Sequence, residues 1–314
     1  MPNAKEIKNR IKSVKDTQKI TNAMYLIAST KLRKAKNNLI ETYPYFEFLR
    51  NNANNVLTHV NYSESKYFLP ENVDEEELDI KGKTAILCIT ADKGLAGVYN
   101  HNVIKETLNV IESQKDYVLY VVGEYGRAYF KKHGFNLDEN FFFTAQEPNM
   151  DKARKIATIL FDKYDNDEIS QIFIVYTDFA LNTQTQAKSI RILPFHKSHF
   201  ETEDNISGYE NLEIVPSANE VLDTIVRNYV TGYIYSGIVE SFCAEQNSRM
   251  MAMDSANENA KDILAELNLK YNKSRQNIIT QEKTNTQVFY SQKTPNHSIT
   301  ISTKHSSIYQ IIIL

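Results

Sequence analysis

Residues 11–36 read IKSVKDTQKITNAMYLIASTKLRKAK, and the architecture follows from how their apolar and small residues are spaced. Across residues 3–43 such residues recur at Ile7, Ile11, Val14, Thr21, Tyr25, Ala28, Leu32, Ala35 and Leu39, in steps of four and three once Gln18 is counted as a polar interruption. That alternation is the seam of a coiled coil. The helix is also strongly basic. Residues 1–40 hold ten Lys or Arg against two acids, Glu6 and Asp16, a local charge of +8 in a chain of net charge −3. Pro44 removes a helical hydrogen bond and collides with the preceding turn. A kink or break is expected there, with helix resuming through FEFLRNNANNVLTHV.

The other end of the chain carries a second seam. Residues 217–294 contain no proline and only two glycines, Gly232 and Gly237. Ser217, with Glu220 three residues on, forms a capping box that opens a helix. Uncharged residues then hold every seam position, from Leu222, Ile225 and Tyr229 through Val239, Cys243, Met250 and Asn257 to Leu267, Tyr271 and Ile278. Such a helix would span roughly 100 Å at about 1.5 Å per residue. A compact domain of about 120 residues has a radius of gyration of only about 14 Å, so the helix is expected to project beyond any central domain. Pairing the two terminal helices as an antiparallel coiled coil is the economical solution.

Between them the pattern is α/β. TAILCIT, YVLYVVG and QIFIVYTDF are short apolar runs, the mark of strands buried on both faces. They alternate with helical stretches of ten or more residues, and TQAKSIRILPF reads as a returning strand, which together predict a largely parallel sheet. The expected division is a coiled-coil helix over 1–60, an acidic linker over 61–82 and a Rossmann-like α/β domain over 83–200. A linker over 201–216, a second coiled-coil helix over 217–290 and a tail over 291–314 complete it.

Composition narrows the function. At 42% hydrophobic and 24% charged residues the chain suits a folded, soluble protein. No apolar run approaches the ~18 residues of a membrane span, and MPNAKEIKNR lacks a signal core. Cys88 and Cys243 share no metal-ligand spacing and suit a reducing compartment, the first as core and the second as a seam filler. ADKGLAGVYN follows a strand and precedes a helix, but it has neither the glycine spacing of a dinucleotide fingerprint nor a P-loop Lys. His196 and His199 follow Pro194 and are read as loop residues without a ligand role. No catalytic constellation, cofactor site or metal site is expected. A DNA-binding basic helix fits poorly, because the basic residues share their helix with an apolar seam and the whole chain is acidic. MYLIAST, SRMMAMDSA and YIYSGIVESF hold more hydrophobe than one seam uses, so a partner surface is expected along the helices.

Three motifs resemble the γ subunit of F-type ATP synthases: EIKNRIKSVKDTQKITNAMYLIASTKLRKAK, ITADKGLAGVYNHNVIK and EQNSRMMAMDSANENAKDILAELNLKYNKSRQNIITQE. The resemblance covers residues 1 to about 284 in the family's order. It implies a non-catalytic central rotor stalk, peripheral to the cytoplasmic side of a bacterial inner membrane. The implied partners are the α and β subunits of the catalytic hexamer, the ε subunit and the c-ring, with no nucleic acid, no cofactor and no membrane span. It also implies subunit contacts at Met24, which matches the ITxAM motif, at Arg249, which matches the Arg of ARMVAM, and at Arg275, Gln276, Thr280 and Glu282, which match the family's ARQ…ITQE cluster. A non-catalytic coiled-coil scaffold carrying an α/β ligand-binding domain is the alternative. After ITQE the sequence departs from the family's small-residue helix and ends in a Thr-, Ser- and Asn-rich tail.

Overall fold

The computed structural model describes residues 4–57, 65–69, 82–179, 185–196, 200, 215 and 217–292. Those residues form helix α1 (Ala4–Leu57), strand β1 (Thr84–Ile89), helix α2 (Tyr99–Ser113), strand β2 (Tyr117–Val122), helices α3 (Glu124–Lys132) and α4 (Met150–Asp165), strands β3 (Gln171–Asp178) and β4 (Gln186–Leu193), and helix α5 (Ala218–Gln292). Helix α1 continues through Pro44 without a break, where the sequence predicts a kink or break. The expected tail beyond Gln292, the 201–214 segment and His199 lie outside the described residues. No described helix is long and apolar enough to cross a membrane.

The described residues divide into two compact bodies, those within 18–258 and those within 4–17 and 259–292. The larger holds a four-stranded sheet in the order β2-β1-β3-β4. β1 pairs in parallel with both β2 and β3, and β4 returns antiparallel along β3. Every residue of β1 is buried, and its side chains alternate between two cores as the strand period requires. Ala85, Leu87 and Ile89 join α4 and the first turns of α5 on one face. Ile86 and Cys88 join α2, Phe130 of α3, and Leu32 and Ala35 of α1 on the other.

Helix α5 contributes to both cores in succession. Leu222, Val226, Val230, Ile234 and Ile238 enter the first, and Val239, Phe242, Cys243 and Ala244 the second. Residues 241–246 are therefore buried without a break, far more than a coiled-coil stripe requires. The stretch expected to be an exposed linker also contains core. Tyr67, Phe68 and Leu69 are all buried, and Phe68 packs against Phe195 and Phe200 at 6.2 and 5.8 Å between ring centroids. Polar groups fasten the same segment. Lys66 pairs with Asp165 at 2.8 Å, Asp165 also pairs with Arg227, and Tyr67 donates to Asp165 at 3.0 Å. These contacts hold the Asp165 carboxyl below its ordinary range despite partial burial.

Helices α1 and α5 run antiparallel within this body. Near one end Thr21 donates to Asn257, and Gln18 donates to the Asn257 carbonyl at 3.5 Å. Further along α1, Leu39 and Ile40 share a cavity with Ser236 and Glu240 of α5. Ala53, Val56 and Leu57 join the core that holds Leu222 and Val226. In the smaller body the buried stripe is narrow. Ile7, Ala260 and Leu267 are buried, and Ile11, Val14, Leu264, Tyr271 and Ser274 are half-buried. The stripe stops there: Ile278, the last expected seam residue, is exposed.

Candidate partner-binding surface and its anchor

The outer faces of the helices carry hydrophobes that neither seam nor core uses. On α1, Ile20, Leu26 and Ile27 are each more than half exposed, at 62%, 57% and 57%. Met251 of α5 stands at 61%. Met24 is half-buried at the edge of the α1 seam, between Ile20 and Ile27. Exposed apolar groups flanked by the basic residues of α1 make a surface suited to an amphipathic, acidic partner.

Arg249 occupies a different setting. Its side chain is only 11% exposed and pairs with Glu245 one turn earlier on α5, itself 1% exposed. Burial pushes the Glu245 carboxyl up, and the Arg249 guanidinium pulls it back down. The guanidinium also donates to the Gly94 carbonyl at 3.2 Å and the Lys93 carbonyl at 3.4 Å. Ser248 donates to the Ala96 carbonyl at 2.7 Å. The ADKGLAGVYN turn thus offers its carbonyls to α5, and two of its polar side chains, Asp92 and Asn100, are engaged by backbone N–H groups. Asp92 accepts from the backbone N–H groups of Glu124, Ala145 and Gln146 at 3.2, 3.0 and 3.2 Å. Asn100 accepts from Ala91 N–H at 2.9 Å. Gly97 has a φ of +55°, and a Cβ there would stand 2.9 Å from Ser248 Oγ. The left-handed conformation and the close approach both demand glycine. This turn is a clasp on the helix, made by its carbonyls.

The remaining sequence-predicted contact residues belong to the smaller body. Arg275, Gln276, Thr280 and Glu282 are all exposed on α5. Gln276 and Thr280 are joined by a hydroxyl-to-carbonyl bond of 2.9 Å, and Thr286 donates to the Glu282 carbonyl at 2.7 Å. These four occupy one bare stretch of helix, whereas Arg249 and Met24 sit in the larger body. Sequence reading missed Asp92, Gly97, Glu245 and Ser248. The signal for Glu245 was present: an acid four residues before Arg249 on a helix is the spacing of an ion pair.

The family model described as ATP synthase matches residues 3–284. Among curated relatives, the ATP synthase gamma chain of Acetivibrio thermocellus is 38% identical over 292 residues, covering 90% of this chain and 97% of that one. That of Caldanaerobacter subterraneus subsp. tengcongensis is 40% identical over 287 residues, covering 88% and 96%. The sodium ion specific gamma chain of Acetobacterium woodii is 32% identical over 295 residues, covering 89% and 95%. In fold, the chain is similar to one from the Euglena gracilis mitochondrial ATP synthase OSCP/F1/c-ring structure, with a TM-score of 0.62 at 14% identity, covering 95% of this chain and 99% of that one. A chain of the central stalk/c-ring structure from Tetrahymena thermophila gives 0.55 at 20% identity, covering 76% and 99%. With the antiparallel terminal helices, the parallel-centred sheet and relatives matched nearly end to end, this chain belongs to the ATP synthase gamma chain family.

Proposed function

We propose that the chain is the central stalk of a bacterial F-type ATP synthase, a subunit without bond chemistry of its own. It would couple ion-driven rotation of a c-ring to conformational change in a surrounding ring of α and β subunits, at the cytoplasmic face of the membrane and in contact with an ε subunit. The observation that carries this reading is the row of exposed hydrophobes on helices whose seams are already filled. Ile20, Leu26 and Ile27 face away from the α1 seam, so they are available to a second protein.

The physics of the role is differential contact. A ligand or partner shifts an equilibrium only by as much as its interaction free energy differs between the states. An asymmetric shaft inside a ring of like sites presents a different face to each, and turning it exchanges those faces. Shallow, adaptable side chains such as Met24 and Met251 suit a surface that is remade at each step. Arg275, Gln276, Thr280 and Glu282, exposed on a helix without tertiary cover, are suited to directional hydrogen bonds with a surrounding ring. The clasp at Arg249 would hold the α/β domain to the helix that transmits torque.

Co-purification of the full chain from its own cells tests the role. Recovery with α, β and c subunits, with ATP hydrolysis only in the assembly, is the expected result. A chain recovered without them would instead favour a free-standing scaffold.

A further inference from the structure

Helix α1, the β3–β4 edge and helix α5 line an open cavity of about 1000 Å³ in the larger body. Pockets of this size with apolar walls and a few convergent polar groups are the usual form of small-molecule sites. Its walls are aromatic. Tyr176, Phe179, Phe195, Tyr229 and Tyr233 line it. The Tyr176 and Tyr229 rings each stand 6.3 Å from Tyr233, and Phe195 stands 5.6 Å from Tyr229.

Two neighbouring carboxyls, Glu240 and Asp178, are set into this wall. Glu240 accepts from Ser236 Oγ at 2.8 Å and from the Phe179 N–H at 3.4 Å, both neutral donors. Its neighbour Asp178 shares a hydrogen bond with it and is itself paired with Lys188. Lys36 of α1 lies over the Phe179 ring at 5.0 Å. Glu47, Arg50 and Arg191 also line the cavity, and Glu47 and Arg50 both act on Tyr229, toward the other end from Glu240. A half-buried carboxylate beside several tyrosine rings is complementary to a cation with an apolar body, because the ring faces are electron-rich and the carboxylate supplies the counter-charge.

We propose that this cavity binds an amphipathic organic amine, with the ammonium at Glu240 and the apolar body against Tyr176, Tyr229 and Tyr233. The site lies apart from the exposed helix faces invoked for the rotor role, so it goes beyond that reading and neither depends on the other. Burial and the neighbouring Asp178 push the Glu240 carboxyl up to about 7. The groups that act on it are Asp178 from β3, Lys188 from β4 through Asp178, Cys243 from α5 with Lys36 of α1 beyond it, and the hydroxyls of Tyr176 and Tyr233. An amine stays protonated through neutral pH, so binding should tighten as Glu240 loses its proton.

Phenethylammonium chloride, titrated into the full chain and followed by calorimetry, tests this. Saturable binding is expected, at least about tenfold tighter than that of neutral 2-phenylethanol, as a charge-assisted hydrogen bond requires. Affinity should rise between about pH 6 and about pH 8, where the carboxyl ionises. Glu240→Gln should weaken the amine and flatten its pH dependence while leaving the alcohol unchanged. No saturable binding, equal affinity for amine and alcohol, tighter binding of the anion 3-phenylpropionate, or full amine affinity in a folded Glu240→Gln chain would each overturn the assignment. Should that variant fail to fold, the comparison of amine, alcohol and carboxylate on the unsubstituted chain decides it.

Discussion

Arg249 shows how a residue's role depends on what surrounds it. Family resemblance marks it as a subunit contact, and the structure gives it an internal occupation, pairing with buried Glu245 and holding the carbonyls of Lys93 and Gly94. Arg249→Ala leaves a carboxyl buried without its cation. Removing one partner of a buried pair costs roughly 3–5 kcal/mol, so urea denaturation of this variant should show a loss of that order, and adding Glu245→Gln should restore part of it. Gly97→Ala should also destabilise, by about 1 kcal/mol or more from the left-handed backbone alone. The Ser248→Ala background should relieve the steric share of that cost, and a double-mutant cycle would read the coupling. Glu240 gives a pH prediction. Its folded carboxyl titrates near 7, above the ordinary value of 4.5. It therefore favours the fold fully below about 4.5 and progressively less as pH rises toward 7. Relative to the native chain, Glu240→Gln should gain stability between pH 5 and pH 8, on the order of 2 kcal/mol for a shift of this direction and size, measured as the difference in urea midpoints.

At the scale of elements, the 4-3 spacing of α1 was legible because a paired helix buries one stripe and little else. Ile7, Ala28, Leu32 and Ala35 are buried at the positions the spacing names. The strands were legible for a related reason, since β1 is covered on both faces and reads as an unbroken apolar run. Residues 222–245 of α5 were less so. They are buried on several sides by two cores, and a two-position repeat describes only part of that burial. Tyr67, Phe68 and Leu69 were hidden because three apolar residues in an acidic stretch carry no period, and only the pocket formed by α4, α5 and Phe195 gives them a place. The clasp was missed because its bonds use backbone carbonyls, which sequence does not display. At Pro44 the helix does not break, because buried Leu49, Ala53 and Val56 hold it on the far side. Leu32, 7% exposed in the seam, is the element's test: Leu32→Ala should cost about 2–5 kcal/mol, read from thermal or urea melting.

For the whole molecule, the exposed positions divide from the buried ones by function. Seam, sheet and clasp residues fix the fold, and the outward residues Ile20, Leu26, Ile27 and Met251 contribute little to it. Substitutions there should be nearly silent for stability, within about 0.5 kcal/mol, yet costly for assembly. Arg275→Ala and Gln276→Ala should likewise leave melting unchanged and lower the ATPase activity of a reconstituted complex. The most direct measurement is reconstitution of the full chain with α and β subunits, comparing the native sequence with Leu26→Glu/Ile27→Glu. A central-stalk role predicts an active complex for the native chain and a marked loss of assembly or ATPase activity for the variant, with equal melting of the two isolated chains. Equal activity of both complexes, or no association of the native chain at all, would contradict it.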